Sequence, residues 1–256
     1  MGDLVSHQAA PRMPPYAILV DARGHFHTFE CGGDAYLSGA QIRQTVPANG
    51  HHLTVEDVKR DSVIRESIYE VPTRVISLEN TLNGIIMPIS DVRVISQWTR
   101  TQNPPIHMHL DGARLWEAVA AGAFTLRETG ECSDSIQLCS TKGVGGICAT
   151  GIIAASARMA VDNIFFTGKL KEAQDKAKHA SDLWGKLGGK LLMPTETNIV
   201  WLDLEGSGVA YENFYPLAHK YDLKFRDLQL GRLVFHYRIS EAAFTRLCDL
   251  FRAVLN

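Results

Sequence analysis

Short apolar runs alternate with segments of helical spacing through the first half of the chain, a pattern that predicts a βαβ succession. Ala17-Ile18-Leu19-Val20 is a four-residue apolar run that follows Pro14-Pro15 and stops at Asp21, as expected of a strand covered on both faces. Arg74-Val75-Ile76-Ser77-Leu78 reads as a second strand, bounded by Pro72 and by Glu79-Asn80. Ser90 is placed to cap a helix in which Val92, Ile95 and Trp98 recur at three-residue steps, and Asn103-Pro104-Pro105 stops it. Ile106 to Leu110 reads as a third strand running into Asp111-Gly112. A helix follows with Leu115, Ala118, Val119 and Gly122 on one side, and Ser135 to Cys139 reads as a fourth strand.

The texture changes after Lys142. Ile152 to Phe166 and Lys169 to Leu187 read as consecutive helices, the second strongly charged. Asn198 to Leu204 and Gly231 to Tyr237 read as strands, and the chain closes on a helix with Phe244, Leu247, Phe251 and Val254 at core spacing. The expected organisation is α/β: a large domain over 1–165 built on a mainly parallel sheet, and a small C-terminal α+β domain over 166–256.

Composition narrows the functional classes. Lys and Arg number 26 against 28 Asp and Glu, for a formal charge of -2, so no broad basic face exists to bind nucleic acid or an anionic membrane. No stretch of about 18 apolar residues occurs, and the first residues, Met1 to Pro15, lack the basic and apolar regions of a leader. The five cysteines form no C-x-x-C pair, which argues against a disulfide framework and against a zinc ribbon. A cytoplasmic protein with no metal site is the expectation.

Ligands of open α/β sheets sit beyond the carboxyl ends of the strands. Asp21, Arg23 and His25 follow the first expected strand, Glu79-Asn80-Thr81 the second, Asp111 and Arg114 the third, and Ser140-Thr141-Lys142 the fourth. Each has a bland alternative: Asp111 as a helix cap, Arg114 as a first-turn surface charge, Lys142 as a loop lysine. Their occurrence at equivalent positions is what points to a site.

Three of these segments carry a resemblance. Ser77-Leu-Glu-Asn-Thr-Leu-Asn83, His109-Leu-Asp-Gly-Ala-Arg-Leu115 and Asp134-Ser-Ile-Gln-Leu-Cys-Ser-Thr-Lys-Gly143 resemble, in order and spacing, the signature stretches of the L-threonine aldolases. These are fold-type-I enzymes dependent on pyridoxal 5'-phosphate (PLP), grouped with the aromatic amino-acid β-eliminating lyases. The likeness runs over essentially the whole chain to Gly231-Arg-Leu-Val-Phe-His-Tyr237. It implies that Lys142 is the amine that holds PLP and shuttles a proton, that Asp111 keeps the pyridine nitrogen protonated, and that His25 stacks on the ring. It also places Arg114 near cofactor and substrate carboxylate, Thr141 among the cofactor contacts, and Arg232 on the substrate's α-carboxylate. His27 reads instead as a packing residue, and Arg226 and Arg238 as surface charges. The implied reaction is cleavage of a β-hydroxy amino acid such as threonine or allo-threonine to glycine and an aldehyde, with His25, a water or a phosphate oxygen as the base. A homo-oligomer, dimer or tetramer, is implied as the assembly.

The sequence also departs from the family pattern. Leu82 stands where many members carry a histidine near the β-hydroxyl, so low specificity is expected. Met1-Gly2-Asp3 aligns with the end of a Ser-Gly-Thr-Met-Gly-Asn stretch whose hydroxyl and amides cradle the cofactor phosphate, so the first part of that cradle is expected to be missing. Lys142-Gly-Val-Gly145 runs directly into Gly146-Ile-Cys-Ala-Thr-Gly151, as if a strand and a helix had been excised, and Cys148 replaces an arginine. Two alternatives to an aldolase stay open: a PLP-dependent alanine racemase like those of fungal peptide-toxin pathways, which needs no β-hydroxyl contact, and an inactive remnant.

Overall fold

The computed structural model of the chain describes residues 14–30, 32–65, 67–146, 152–225 and 231–255. It divides into two compact units, 1–142 and 143–256.

In the first unit, strand β1 (Ala17–Asp21) is followed by two short helices, α1 (His25–Phe29) and α2 (Gly33–Ser38), and by β2 (Gln41–Thr45). Helix α3 (Val55–Asp61) starts at Thr54, whose hydroxyl accepts the Asp57 N–H while Asp57 Oδ2 accepts the Thr54 N–H, a reciprocal cap. Then come β3 (Thr73–Glu79), α4 (Ile89–Arg100), β4 (His107–Gly112), α5 (Leu115–Ala120), α6 (Leu126–Cys132) and β5 (Ser135–Leu138). Helix α4 begins one residue before Ser90, with Pro88 at the cap position: proline fixes the extended backbone there and the serine lies inside the first turn.

The strands form one sheet in the order β2-β1-β3-β4-β5, every neighbour parallel. The chain steps from β1 to one side at β2 and returns to the other side at β3. Winding therefore reverses between β1 and β3, which opens a crevice at their carboxyl ends. Strand β2 has no counterpart in the sequence reading. Its Gln-Ile-Arg-Gln-Thr run has one aliphatic side chain, because an edge strand is held by backbone pairing to β1 and needs no apolar run.

Alternate side chains go to opposite faces. Leu19, Ile76, Leu78, Met108 and Leu110 pack with Val92, Ile95, Leu115 and Ala118, whereas Ile18, Val20 and Val75 pack with Tyr16, Phe26 and Ala40. Both faces are covered, which explains the uninterrupted apolar runs. Gly112 sets the approach of β5 to β4: a Cβ there would lie 2.8 Å from the Gln137 carbonyl oxygen and 3.1 Å from Leu138.

The second unit carries α7 (Ile152–Ala160), α8 (Lys169–Lys186), α9 (Tyr211–Lys220) and α10 (Glu241–Leu255). The expected single helix to Phe166 instead passes into a π-helical turn over Val161–Phe165. Strands β6 (Lys190–Leu191), β7 (Ile199–Asp203) and β8 (Arg232–Val234) form a three-stranded antiparallel sheet. Trp184, Phe214, Phe235 and Phe251 centre the core of this unit, and the indole N–H of Trp184 donates to the Lys190 carbonyl at 2.8 Å. No described helix is long and apolar enough to cross a membrane.

Gly112→Ala should cost about 1–3 kcal/mol of stability by forcing β5 away from β4. Urea denaturation read by tryptophan fluorescence checks this, and an unchanged midpoint would show that the close approach carries no weight.

Candidate functional site

The strand ends of the first unit gather its charged groups. Asp21 ends β1, Glu79 ends β3, Asp111 lies near the end of β4, and β5 leads through Ser140 and Thr141 to Lys142. Asp21 is spoken for: its carboxylate takes the guanidinium of Arg23 in two hydrogen bonds, Nε to Oδ1 at 3.0 Å and Nη2 to Oδ2 at 2.8 Å. Arg23 also donates to the carbonyls of Gly50 and His51, so this clamp fixes the turn after β2 against the end of β1.

Glu79 and Asp111 are register partners on adjacent parallel strands, which sets two carboxyls side by side. Asp111 is 5% exposed and its Oδ1 accepts the Ala113 N–H at 2.8 Å, while the Asn80 N–H donates to the Asp111 carbonyl at 3.0 Å. The helix-cap alternative for Asp111 does not hold, because α5 starts at Leu115 with Arg114 at its cap position. The loop past Glu79 is held by the Asn80 amide, which donates to the Met87 carbonyl and accepts the Met87 N–H.

His25 reaches this pair through its backbone: its N–H donates to Glu79 Oε2 at 2.8 Å. The imidazole is half-exposed, 5.2 Å from the Phe29 ring and 3.3 Å from Glu30 Oε1. The Glu79 residue retains some surface, yet burial of its carboxyl is the main cause that pushes its pKa up to about 8, reinforced by the negative charge of Asp111. The His25 N–H, Arg114 and Lys142 act in the opposite direction and are outweighed. Of the residues picked from sequence, Asp111, Arg114, Lys142 and the backbone of His25 therefore act on one carboxyl. Thr141 is exposed and its hydroxyl lies 3.1 Å from Cys139 Sγ. Arg232 belongs to the second unit, where it pairs with Trp201 across β7 and β8 and sets its guanidinium 5.7 Å from the indole centroid. Met1–Asp3 and Cys148, singled out for the phosphate end, and Arg226 lie outside the described residues.

Residues 1–150 match the β-eliminating lyase family. The chain is 39% identical to an aldolase, vrtJ, from Penicillium aethiopicum, across all of this chain and 71% of that protein. The chain belongs to the β-eliminating lyase and threonine aldolase family. A low-specificity L-threonine aldolase of Candida albicans is 34% identical over 94% of this chain and 70% of its own length. An alanine racemase, TOXG, of Cochliobolus carbonum is 32% identical over 94% and 69%. The match to the Penicillium aldolase extends over 281 positions against 256 residues here, so that family member carries residues inside the matched span that this chain lacks. Among solved structures, the threonine aldolase of Leishmania major superposes with a TM-score of 0.76 at 18% identity, over 99% of this chain and 81% of that one. Aspartate aminotransferase from Thermus thermophilus gives 0.59 at 13%, over 99% and 73%. The fold is thus that of the fold-type-I family, α/β with a five-stranded parallel sheet and a small antiparallel one.

The donor set suits the ring end of PLP: an amine at Lys142 for an aldehyde, a buried carboxylate at Asp111 for a pyridine nitrogen, and a guanidinium at Arg114 for a phenolate oxygen. In the loop two residues past Glu79, the Thr81 hydroxyl is buried and has no hydrogen-bond partner among the described residues. Sequence reasoning placed Glu79 at a strand end but gave it no role. The available signal was its register position opposite Asp111.

A carboxyl with a raised pKa binds its proton more tightly folded than unfolded, so its contribution to stability falls as pH rises from the ordinary glutamate value of 4.5 to about 8. Urea midpoints measured across that window should decline for the wild type, with a shallower decline in Glu79→Gln. Parallel profiles for the two proteins would show that Glu79 titrates in the normal range.

Proposed function

We propose that this chain is a PLP-dependent aldehyde-lyase that cleaves β-hydroxy amino acids of the threonine and allo-threonine type to glycine and an aldehyde. The observation that carries the reading is the convergence of Lys142, Arg114 and Asp111 on Glu79 at the strand ends. When bound, PLP supplies a sink for the electrons of the breaking Cα–Cβ bond. Lys142 would hold the cofactor through its amine and move a proton at that nitrogen. Asp111, fixed by Ala113 N–H and set in the sheet, holds a proton on the ring nitrogen. Arg114 would lie near the cofactor and the substrate carboxylate, His25 would stack on the ring, and Arg232 is assigned the substrate's α-carboxylate from its motif.

Leu82 is 7% exposed and bridges to Ile85. It offers the β-substituent an apolar surface and no hydrogen bond, so the two threonine diastereomers are expected to be handled alike. The same feature favours a second reading as an alanine racemase, supported by the likeness to TOXG, since removal of an α-proton uses Lys142 and Asp111 and needs no β-hydroxyl contact. A cytoplasmic homo-oligomer is the working form we propose in either case.

Purified protein mixed with PLP should gain a visible absorbance band that borohydride fixes on Lys142, and Lys142→Ala should lose it completely. Acetaldehyde released from threonine supports the aldolase, and deuterium entering the α-position of alanine with threonine left intact supports the racemase. A protein that stays colourless contradicts both.

A further inference from the structure

Helix α1 holds an acid and a base whose placement helix stability does not explain. His25 is its first residue and Glu30 its C-cap, and His25 Nδ1 lies 3.3 Å from Glu30 Oε1. A base at the start of a helix and an acid at its end are the reverse of what the helix dipole favours. Both side chains are close to half exposed, so a surface ion pair between them adds little to stability.

The backbone that carries His25 is fixed far more firmly. Its N–H donates to Glu79 Oε2 at 2.8 Å, and the Gly24 N–H donates to the Asp21 carbonyl at 2.9 Å. The Gly24 carbonyl accepts the N–H groups of His27 and Thr28 and the Thr28 hydroxyl. Glycine suits this approach, since a Cβ at position 24 would lie 3.0 Å from the Asp21 carbonyl oxygen and 3.5 Å from Glu79 Oε2. Helix α1 is thereby tied to the ends of β1 and β3. The setting of the imidazole itself is left to Phe29, whose ring lies 5.2 Å away and tilted by 35°, and to Glu30.

We propose that Glu30 is a positioning residue that holds His25 in the Nδ1–H form, so that Nε2 carries the lone pair. An ionised carboxylate accepts and cannot donate, so the ring nitrogen that faces Glu30 is the one that bears the hydrogen. A neutral imidazole has a single N–H, and fixing it at Nδ1 leaves Nε2 as the acceptor. A histidine side chain free in water favours the other form, with its hydrogen on Nε2. The pairing with Glu30 therefore decides which edge of the ring can take a proton. When Nε2 takes one, an N–H bond forms there as the bond to the donor breaks, Nδ1 keeps its hydrogen, and the Glu30 carboxylate faces the positive charge that results. In the cleavage proposed above, that proton is the one the β-hydroxyl loses. This last assignment rests on the proposed function, whereas the form of the ring does not.

Long-range proton–nitrogen-15 correlation spectra of the histidine-labelled, cofactor-free full chain at alkaline pH report the form of each neutral ring. The His25 signals are those missing in His25→Gln. In the wild type they should show the Nδ1–H form, and Glu30→Gln, whose side-chain carbonyl still accepts a hydrogen bond, should retain it. Glu30→Ala should move most of the population to the Nε2–H form, a change that a merely structural role for Glu30 would not produce. The Nε2–H form in the wild type would overturn the proposal, and so would the Nδ1–H form persisting in Glu30→Ala. Because no cofactor is bound, either result stands apart from the PLP reading, which borohydride capture on Lys142 decides separately.

Discussion

Two carboxyls side by side on adjacent parallel strands impose a constraint that the rest of the first unit accommodates. Glu79 and Asp111 cannot both ionise cheaply in a partly buried setting, and the charges that would relieve them, Arg114 and Lys142, compensate only in part. Asp111 is backed by the Ala113 N–H, and burial, reinforced by the Asp111 charge, pushes the Glu79 carboxyl up to about 8 against the opposing hydrogen bond from the His25 N–H. A ring bearing a positive charge next to Asp111 would supply the missing counter-charge.

The scaffold follows from that placement. The reversal of winding between β1 and β3 opens the crevice, the Arg23 clamp on Asp21 ties the turn after β2 to the end of β1, and Gly112 lets β5 come close to β4 on the way to Lys142. Apolar packing on both sheet faces makes these strand ends rigid, which is what a site with named donors at fixed positions requires.

Strands β1, β3 and β4 are legible in the sequence because strands covered on both faces carry apolar runs, the edge strand β5 is read from the short Ser135–Cys139 run, and three segments at the strand ends carry the family likeness. Strand β2 was hidden because an edge strand is stabilised by backbone bonds, and with it the His51-His52 turn lost its address. Glu79 was visible as a position but not as a protonated group, since its state depends on the register of β3 against β4, which no local pattern encodes. The break of the α7 segment into a π-turn was likewise invisible to apolar periodicity. Arg232 and Lys142 fall in different units, and the likeness between motifs remains the ground for assigning them to one substrate.

The account depends most on the electrostatic coupling of Glu79 to Asp111. Titration of the Glu79 carboxyl in Asp111→Asn, by carbon-13 NMR of the full chain, measures it directly. Removing the neighbouring charge should lower the Glu79 midpoint clearly from about 8. A midpoint equal in the two proteins would mean that the carboxyls do not interact, and the site described at these strand ends would lose its physical basis.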